Sequence, residues 1–148
     1  MRDRQAVTVR AMEARDADVV AVLTAQLGYQ RTPEEVLAWL RAADGGCQVA
    51  FVAEMAGEVV GWIEVSLERR LQSDAFGLIG GLVVKEGCRG AGIGRRLCEQ
   101  AEEWSEGRGV KKIRVTSRST REDAHRFYLR DGYEQTKVSM VFEKVLGR

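Results

Sequence analysis

A glycine-rich loop in the second half of the chain constrains this sequence more than any other segment. Three glycines fall within five residues: Gly90, Gly92 and Gly94. Strand-forming residues precede the loop at 82–84, and a helical pattern follows it. A chain without side chains at a helix N-terminus exposes backbone N–H groups beside the positive end of the helix dipole. Because this arrangement suits a phosphate anion, the segment predicts a site for a phosphate-bearing cofactor.

Several loop motifs compete for this segment. A Walker loop requires a lysine where Ile93 stands, after glycines at 87 and 92. A dinucleotide-binding fold places GxGxxG in its first βαβ unit, whereas this loop reads GxGxG and follows more than half of the chain. The pattern Gln/Arg-x-x-Gly-x-Gly/Ala between a strand and a helix matches residues 89–94. A glycine-rich turn without a ligand is the remaining interpretation.

Composition predicts one globular domain over residues 1–148, with 45% hydrophobic residues and a net charge of +1. The near-neutral charge favours neither nucleic acid nor an anionic membrane surface as a partner, and no apolar stretch is long enough for a membrane span. Cys47, Cys88 and Cys98 lack the spacing of a metal site, so no bound metal is expected. Reduced thiols and a start without a signal-peptide pattern predict a cytoplasmic protein.

The apolar pattern predicts a mixed order of strands and helices, β-α-α-β-β-β-α-β-α-β. The first half comprises a strand over 6–11, helices over 13–27 and from Thr32 to before Gly45, and strands over 48–54 and 58–66. A polar loop over 68–74 leads to a strand over 76–84. The second half comprises a helix over 92–107, a strand over 112–116, a helix over 120–130 and a last strand over 136–142. A mixed α/β fold with a central sheet packs this order most economically.

Two further segments accompany the glycine loop. Residues 124–133 read AHRFYLRDGY, and the predicted hairpin reads VAE at 52–54 and GEVVG at 57–61. Together with RGAGIG at 89–94, they resemble the loop, the AxxFYxxxGF/Y signature and the hairpin of the GCN5-related N-acetyltransferases. This resemblance extends over almost the whole chain. It implies a mixed, mostly antiparallel sheet of about six or seven strands flanked by about four helices.

The resemblance also implies acetyl-coenzyme A (acetyl-CoA) as the cofactor, and it assigns the cofactor contacts. The main chain of the fourth strand is expected to pair with the pantetheine arm beyond a bulge, which Gly80-Gly81 marks. The N–H groups of the loop are expected to hold the pyrophosphate, with added charge from arginines. Arg118 or Ser119 is expected to replace an asparagine that many relatives carry, or the contact is missing. The predicted cofactor-binding residues are Leu82, Val83, Val84, Arg89, Gly90, Ala91, Gly92, Ile93, Gly94, Arg95, Ser119 and Phe127.

Catalysis is expected to transfer an acetyl group directly to a primary amine in a ternary complex. Tyr128 occupies the position of the family's usual general acid, and proton transfer from a phenol to a thiolate is uphill by only about 2 kcal/mol. The fourth strand carries no carboxylate over 76–80. The general base is therefore expected to be Glu64, Glu68 or a chain of water molecules. His125, one helical turn before Tyr128, has either a proton-relay or a structural role.

The resemblance places the amine acceptor near residues 26–30 and the 68–74 loop. Trp62 is expected either in the core or at the border of this acceptor site. Glu64, Glu68 and Asp74 would attract a cationic amine, such as an aminoglycoside, a polyamine or a lysine. A non-catalytic acetyl-CoA sensor or interaction module stays open, as does a protein or peptide N-acetyltransferase. Either one long last strand completes the sheet or a partner chain does so, and the long edge that would otherwise be unpaired favours a homodimer.

Overall fold

The computed structural model describes residues 6–117 and 121–147. They belong to two compact units, Met1–Thr116 and Ser117–Arg148. The larger unit contains a five-stranded sheet whose strands lie in chain order. These strands are β1 Val7–Ala11, β2 Gln48–Met55, β3 Glu58–Arg70, β4 Ser73–Val84 and β5 Ile113–Val115. Strands β1 to β4 pair antiparallel and β5 joins β4 in parallel, which confirms the mixed, mostly antiparallel sheet.

Three α-helices belong to the described part of the larger unit: α1 Ala17–Thr24, α2 Pro33–Ala42 and α3 Ile93–Gly107. Short 3-10 turns at 14–16 and 25–27 extend α1 on both sides, so the predicted first helix is interrupted rather than continuous. The start of α2 is confirmed, because Thr32 Oγ1 accepts from the Glu35 N–H at 3.1 Å and Glu35 accepts from the Thr32 N–H at 2.9 Å. None of the described helices has the length and apolar character needed to cross a membrane.

The helices of the larger unit cover opposite faces of the sheet. A Cβ atom added at Gly61 would contact Leu97 and Ile93 of α3, so the residues of β3 at odd positions face α3. Trp62 belongs to the apolar cluster that α1 and α2 form on the other face. Because side chains alternate along a strand, Glu64 shares the α1–α2 face with Trp62.

A buried ion-pair network joins β1, β2 and the start of α1. The Arg10 guanidinium donates to both carboxylate oxygens of Asp16, at 2.8 and 2.9 Å, and to Glu54 at 2.8 Å. Asp16 is only 3% exposed and also accepts from the Glu13 N–H at 2.8 Å. Arg10 lowers the pKa of Asp16, mainly through these hydrogen bonds. The network therefore anchors the first helix to the sheet.

The smaller unit contains α4, Glu122–Arg130. Residues 136–142, predicted as a final strand, form no strand in this structure, so the described sheet has five strands rather than six or seven. Residues 136–142 do alternate in sequence, but a strand also needs a neighbour for its backbone, and the described part of the smaller unit contains no strand. The predicted loop over 68–74 is likewise wrong: β3 and β4 extend into it and pair as far as Arg70 and Ser73, which leaves a two-residue turn at Leu71-Gln72.

Candidate active site

The glycine loop connects β4 to α3, as predicted. Gly90 and Gly92 have φ values of +89° and +79°, a backbone conformation that favours glycine, and Gly92 is the N-cap residue of α3. A Cβ atom added at either glycine would meet nothing within 4 Å. The loop therefore leaves open space beside its backbone.

The first turn of α3 presents backbone donors to this space. The Arg96 N–H bonds the Gly92 carbonyl at 3.1 Å. The three preceding N–H groups have no carbonyl acceptor within the helix, as at every helix start: Ile93, Gly94 and Arg95. These donors and the helix dipole fit the pyrophosphate of acetyl-CoA.

The three arginines beside the loop have different surroundings. Arg96 donates to the Val7 carbonyl of β1 at 3.1 Å, which gives it a structural role. Arg95 is exposed, and its Nε lies 3.7 Å from the Glu99 carboxylate. Arg89 is also exposed and forms no ion pair with the residues that the structure describes. Arg89 is thus the arginine that an anion at the loop would meet without competition.

Strand β4 contains a bulge at the predicted glycines. Glu64 of β3 lies opposite Gly81, but Val65 lies opposite Ile79, so Gly80 is an extra residue in β4. Strand β5 pairs with β4 only over residues 77–79. Within the described part of the chain, no strand pairs with the same edge of β4 from Gly80 to Val84, where the Val84 carbonyl accepts from the Gln26 side chain. An extended group can add to such an edge as a further strand, and Leu82, Val83 and Val84 supply its backbone.

Glu64 lies directly against this bulge. A Cβ atom at Gly80 would lie 3.1 Å from Glu64 Oε1, and one at Gly81 would lie 2.8 Å from Trp62 Cη2. The two glycines therefore make room for the Glu64 and Trp62 side chains. Burial raises the pKa of Glu64, although hydrogen bonds from Gln48 and Trp39 oppose this effect. A half-buried carboxylate with a raised pKa suits a general base.

A cavity of about 270 Å³ lies between the α1–α2 layer and the sheet, with Glu64 in its wall. Trp39 and Trp62 are its largest lining side chains, and Arg31 and Glu35 line it as an ion pair at 3.0 Å. Sequence reasoning placed Trp62 either in the core or at the border of the site, and it did not assign Trp39, Arg31 or Glu35 to the site. Only the helical spacing of 31, 35 and 39 indicated that these three share one face.

The two other acids expected at the acceptor site do not line this cavity. Glu68 accepts from Ser66 Oγ at 3.0 Å and lies 3.9 Å from Arg70. Asp74 is exposed near the hairpin turn. The structure therefore brings only Glu64, of the three predicted acids, to the cavity. In the described residues, no group of His, Cys, Asp and Glu side chains is arranged to hold a metal ion.

Gln26 connects the segment after α1 to the end of β4. Its Nε2 donates to the Val84 carbonyl at 2.9 Å, and its Oε1 accepts from the Glu86 N–H at 3.1 Å. The side-chain amide of Gln26 thus makes the backbone hydrogen bonds that a neighbouring strand would otherwise make, at the point where β4 leads into the glycine loop. This contact lies in the 26–30 segment predicted at the acceptor site, but its partner is the strand predicted to hold the cofactor.

The smaller unit contains the predicted general acid. Tyr128 is half-buried in α4, and its ring packs edge-on against Phe127 and Tyr133, with centroid distances of 5.1 and 5.6 Å. The Tyr133 N–H bonds the Tyr128 carbonyl at 3.0 Å. His125 lies one turn earlier on the same helix. Ser119 and Arg118, expected at the cofactor, lie outside the described residues.

A bulged strand with an open edge, followed by a glycine-capped helix, defines a class of protein that holds an extended, phosphate-bearing ligand. The chain belongs to the Acetyltransferase (GNAT) family, whose model matches residues 16–133. The family resemblance inferred from the sequence is therefore confirmed.

Two relatives are N-acetyltransferases of small molecules by name. The chain is 41% identical over 81 residues to the aminoalkylphosphonate N-acetyltransferase of Salmonella typhimurium, a match that covers 54% of this chain and 53% of that protein. It is 29% identical over 149 aligned positions to the aminoglycoside N(6')-acetyltransferase type 1 of Stenotrophomonas maltophilia, with 95% of both chains covered. The chain thus spans about half of the first relative and nearly all of the second.

Solved structures show the same fold. The aminoglycoside 6'-N-acetyltransferase AAC(6')-Ih from Acinetobacter baumannii superposes with a TM-score of 0.83 at 14% identity, over 96% of this chain and 100% of that one. The aminoglycoside N-acetyltransferase AAC(6')-Iy in complex with CoA gives a TM-score of 0.83 at 18% identity, over 95% of each chain.

Proposed function

We propose that this protein transfers an acetyl group from acetyl-CoA to the primary amine of a small molecule. The observation that carries the proposal is the position of Glu64: its carboxylate lies against the bulge of β4 and in the wall of a cavity. A base at this point is next to both the open strand edge and a space for an acceptor. The names of the two relatives, which specify an aminoalkylphosphonate and an aminoglycoside as acceptors, support an amine acceptor.

The cofactor-binding residues proposed from the sequence fit acetyl-CoA, which supplies an activated thioester. The backbone of Leu82, Val83 and Val84 pairs with the pantetheine arm along the open edge of β4. The backbone donors of residues 89–94 hold the pyrophosphate, and Arg89 adds a charge-assisted bond. Arg95 contributes through its backbone N–H, and its side chain adds charge if it leaves Glu99. Ser119 and Phe127 complete the proposed set.

The proposed chemistry is direct transfer in a ternary complex. Glu64 accepts the proton that the acceptor ammonium loses, and the neutral nitrogen then forms a bond to the thioester carbonyl carbon. A backbone N–H of residues 82–84 bonds the carbonyl oxygen as negative charge develops there. The carbon–sulfur bond breaks, and the Tyr128 hydroxyl donates its proton to the leaving sulfur. The attacking nitrogen, which still carries one proton too many after the bond forms, releases that proton through water, and the Tyr128 phenolate takes up a proton in its place. The products are an N-acetylated amine and free CoA.

Three further proposals concern the whole molecule. We propose that the two units form one acetyltransferase domain over residues 1–148, which the family match across both units supports. Cys47 and Cys88 are free thiols, which supports a cytoplasmic location. Val138, Met140 and Phe142 are 74 to 86% exposed, and this apolar surface supports a homodimer in which a partner covers the segment.

Acetyl-CoA binding and amine-dependent CoA release test the proposed function together. We expect calorimetric binding of acetyl-CoA and release of free CoA with small primary amines. Tyr128→Phe is expected to keep acetyl-CoA binding but to lower kcat by about 10²-fold or more, because it removes the proton donor. Tyr133→Phe, which removes a hydroxyl from the adjacent ring, is the matched control and is expected to retain most activity. Binding without release for any amine would instead support the sensor alternative.

A second prediction concerns Gln26. Gln26→Ala is expected to weaken acetyl-CoA binding about tenfold, because it removes two hydrogen bonds of about 0.5–1.5 kcal/mol each from the end of β4. The calorimetric Kd for acetyl-CoA measures this effect, with Gln135→Ala, an exposed glutamine of the smaller unit, as control. An unchanged Kd in Gln26→Ala would show that the contact does not position the cofactor strand.

A further inference from the structure

The cavity beside Glu64 offers one carboxylate that can pair with an ammonium group. Arg31 and Glu35 neutralise each other at 3.0 Å, and Glu35 also accepts from the Thr32 N–H. Glu64 forms no ion pair with any residue in the described ranges 6–117 and 121–147. One acceptor ammonium can therefore pair with Glu64. A second ammonium would have to compete with Arg31 for Glu35 Oε2, because Glu35 Oε1 already accepts the helix-capping bond.

The rest of the cavity wall is almost entirely apolar. Six lining side chains are hydrophobic: Met12, Val20, Val36, Trp39, Ala50 and Trp62. The Thr24 hydroxyl, which also lines the cavity, already donates to the Val20 carbonyl at 2.7 Å. A polyhydroxylated acceptor would bury hydroxyl groups without partners here, at a cost of about 1–3 kcal/mol for each group. An alkyl or aromatic stem would instead gain from leaving water.

The size of the cavity also favours a small acceptor. Its volume of about 270 Å³ lies at the lower end of the roughly 300–1,000 Å³ that is typical of ligand sites. Trp39 and Trp62 supply aromatic surface next to the carboxylate, and indole rings attract an ammonium group as well as an apolar stem.

We infer that the acceptor is a small primary monoamine with an alkyl or aromatic stem, and that neither a polyamine nor an aminoglycoside is the preferred substrate. The ammonium group lies at Glu64 and the stem lies between Trp39 and Trp62. This inference rests on the proposed function and narrows the cationic acceptors considered from the sequence to those with a single charge.

A matched pair of amines tests the number of charges. Butylamine and butane-1,4-diamine have the same carbon chain and differ by one ammonium group. We expect kcat/KM to be about tenfold or more higher for butylamine. Calorimetric titration of both amines into the protein saturated with CoA gives a readout that does not depend on turnover, and butylamine is expected to bind more tightly. Equal or tighter binding of the diamine would overturn the inference, as would binding of neither amine.

A variant of Trp39 tests the position of the stem. Trp39→Ala is expected to weaken binding of 2-phenylethylamine about tenfold but to change binding of methylamine much less. Trp39→Phe should restore most of the loss, and an unchanged acetyl-CoA Kd would show that the fold is intact. Equal losses for both amines would contradict the proposed position. Failure of the proposed function is distinguishable, because it would abolish CoA release with every amine, including aminoglycosides and polyamines.

Discussion

Replacing Glu64 by glutamine is expected to lower kcat/KM for amine acetylation by about 10²–10⁴-fold, the usual contribution of a general base. Glutamine keeps the size of the side chain against Gly80 but cannot accept the proton of the ammonium group. It also removes the negative charge that pairs with the acceptor, so KM for the amine should rise while the Kd for acetyl-CoA changes little. Steady-state kinetics and acetyl-CoA calorimetry measure these effects separately.

The same substitution is expected to leave the fold as stable or slightly more stable at neutral pH. Burial raises the pKa of Glu64 in the folded protein, so the folded state binds more protons than the unfolded state between the two pKa values. The charged carboxylate therefore costs stability as pH rises through this interval, and glutamine avoids that cost. An activity loss without a stability loss would distinguish a catalytic role from a structural one.

Two comparisons test whether the activity loss is specific to Glu64. In the wild type, kcat/KM should fall at low pH with a midpoint above the ordinary glutamate value of about 4.3, and this limb should disappear in the residual activity of Glu64→Gln. Glu103→Gln, an exposed glutamate of α3, should behave like the wild type. If Glu68→Gln lost the activity and Glu64→Gln retained it, the assignment of the base would be wrong.

Asp16→Ala is expected to lower the free energy of unfolding by about 3–5 kcal/mol, the largest stability effect that we expect. The substitution leaves the Arg10 guanidinium half-buried without two of its hydrogen bonds, and it removes the acceptor of the Glu13 N–H. Urea unfolding measures the change. Asp18→Ala, two residues later and exposed in the first turn of α1, is the matched control and should cost less than about 1 kcal/mol.

The contribution of Asp16 to stability depends on pH with the opposite sign from the contribution of Glu64. Arg10 lowers the pKa of Asp16 in the folded state, so this contribution is present above the ordinary aspartate pKa of about 3.9 and is lost as pH falls through the lower folded value. Asp16→Asn should therefore flatten the acid limb of the wild-type stability profile. An acid limb identical to that of the wild type would contradict the role assigned to this ion pair.

Local signals in the sequence were sufficient for several parts of the fold. Thr32, Pro33 and Glu35 encode a helix start in four consecutive residues, and the capping bonds are present. Gly90 and Gly92 adopt the backbone conformation that favours glycine, and Gly80 forms the bulge. In each case the residues that determine the structure are neighbours in the chain, so the pattern contains the necessary information.

The cavity and the final segment depend on contacts that a local pattern cannot specify. The alternation in β3 places Glu64 and Trp62 on one face of the sheet, but only the packing of α2 brings Arg31, Glu35 and Trp39 beside them. The alternation over 136–142 is typical of a strand, but a strand needs a neighbour, which sequence periodicity does not identify. Of the residues considered for the acceptor site, Glu64 and Trp62 line the cavity, and the apolar character of its wall is visible only in the structure.

The most direct test of the account is the transfer of an isotope-labelled acetyl group from acetyl-CoA to a small primary amine, followed by NMR of the product. The account predicts a new amide signal that requires both the amine and the protein and that is strongly reduced in Glu64→Gln and Tyr128→Phe. Acetyl-CoA that binds to the protein but never transfers its label, across monoamines, polyamines and aminoglycosides, would contradict an acetyltransferase of small amines.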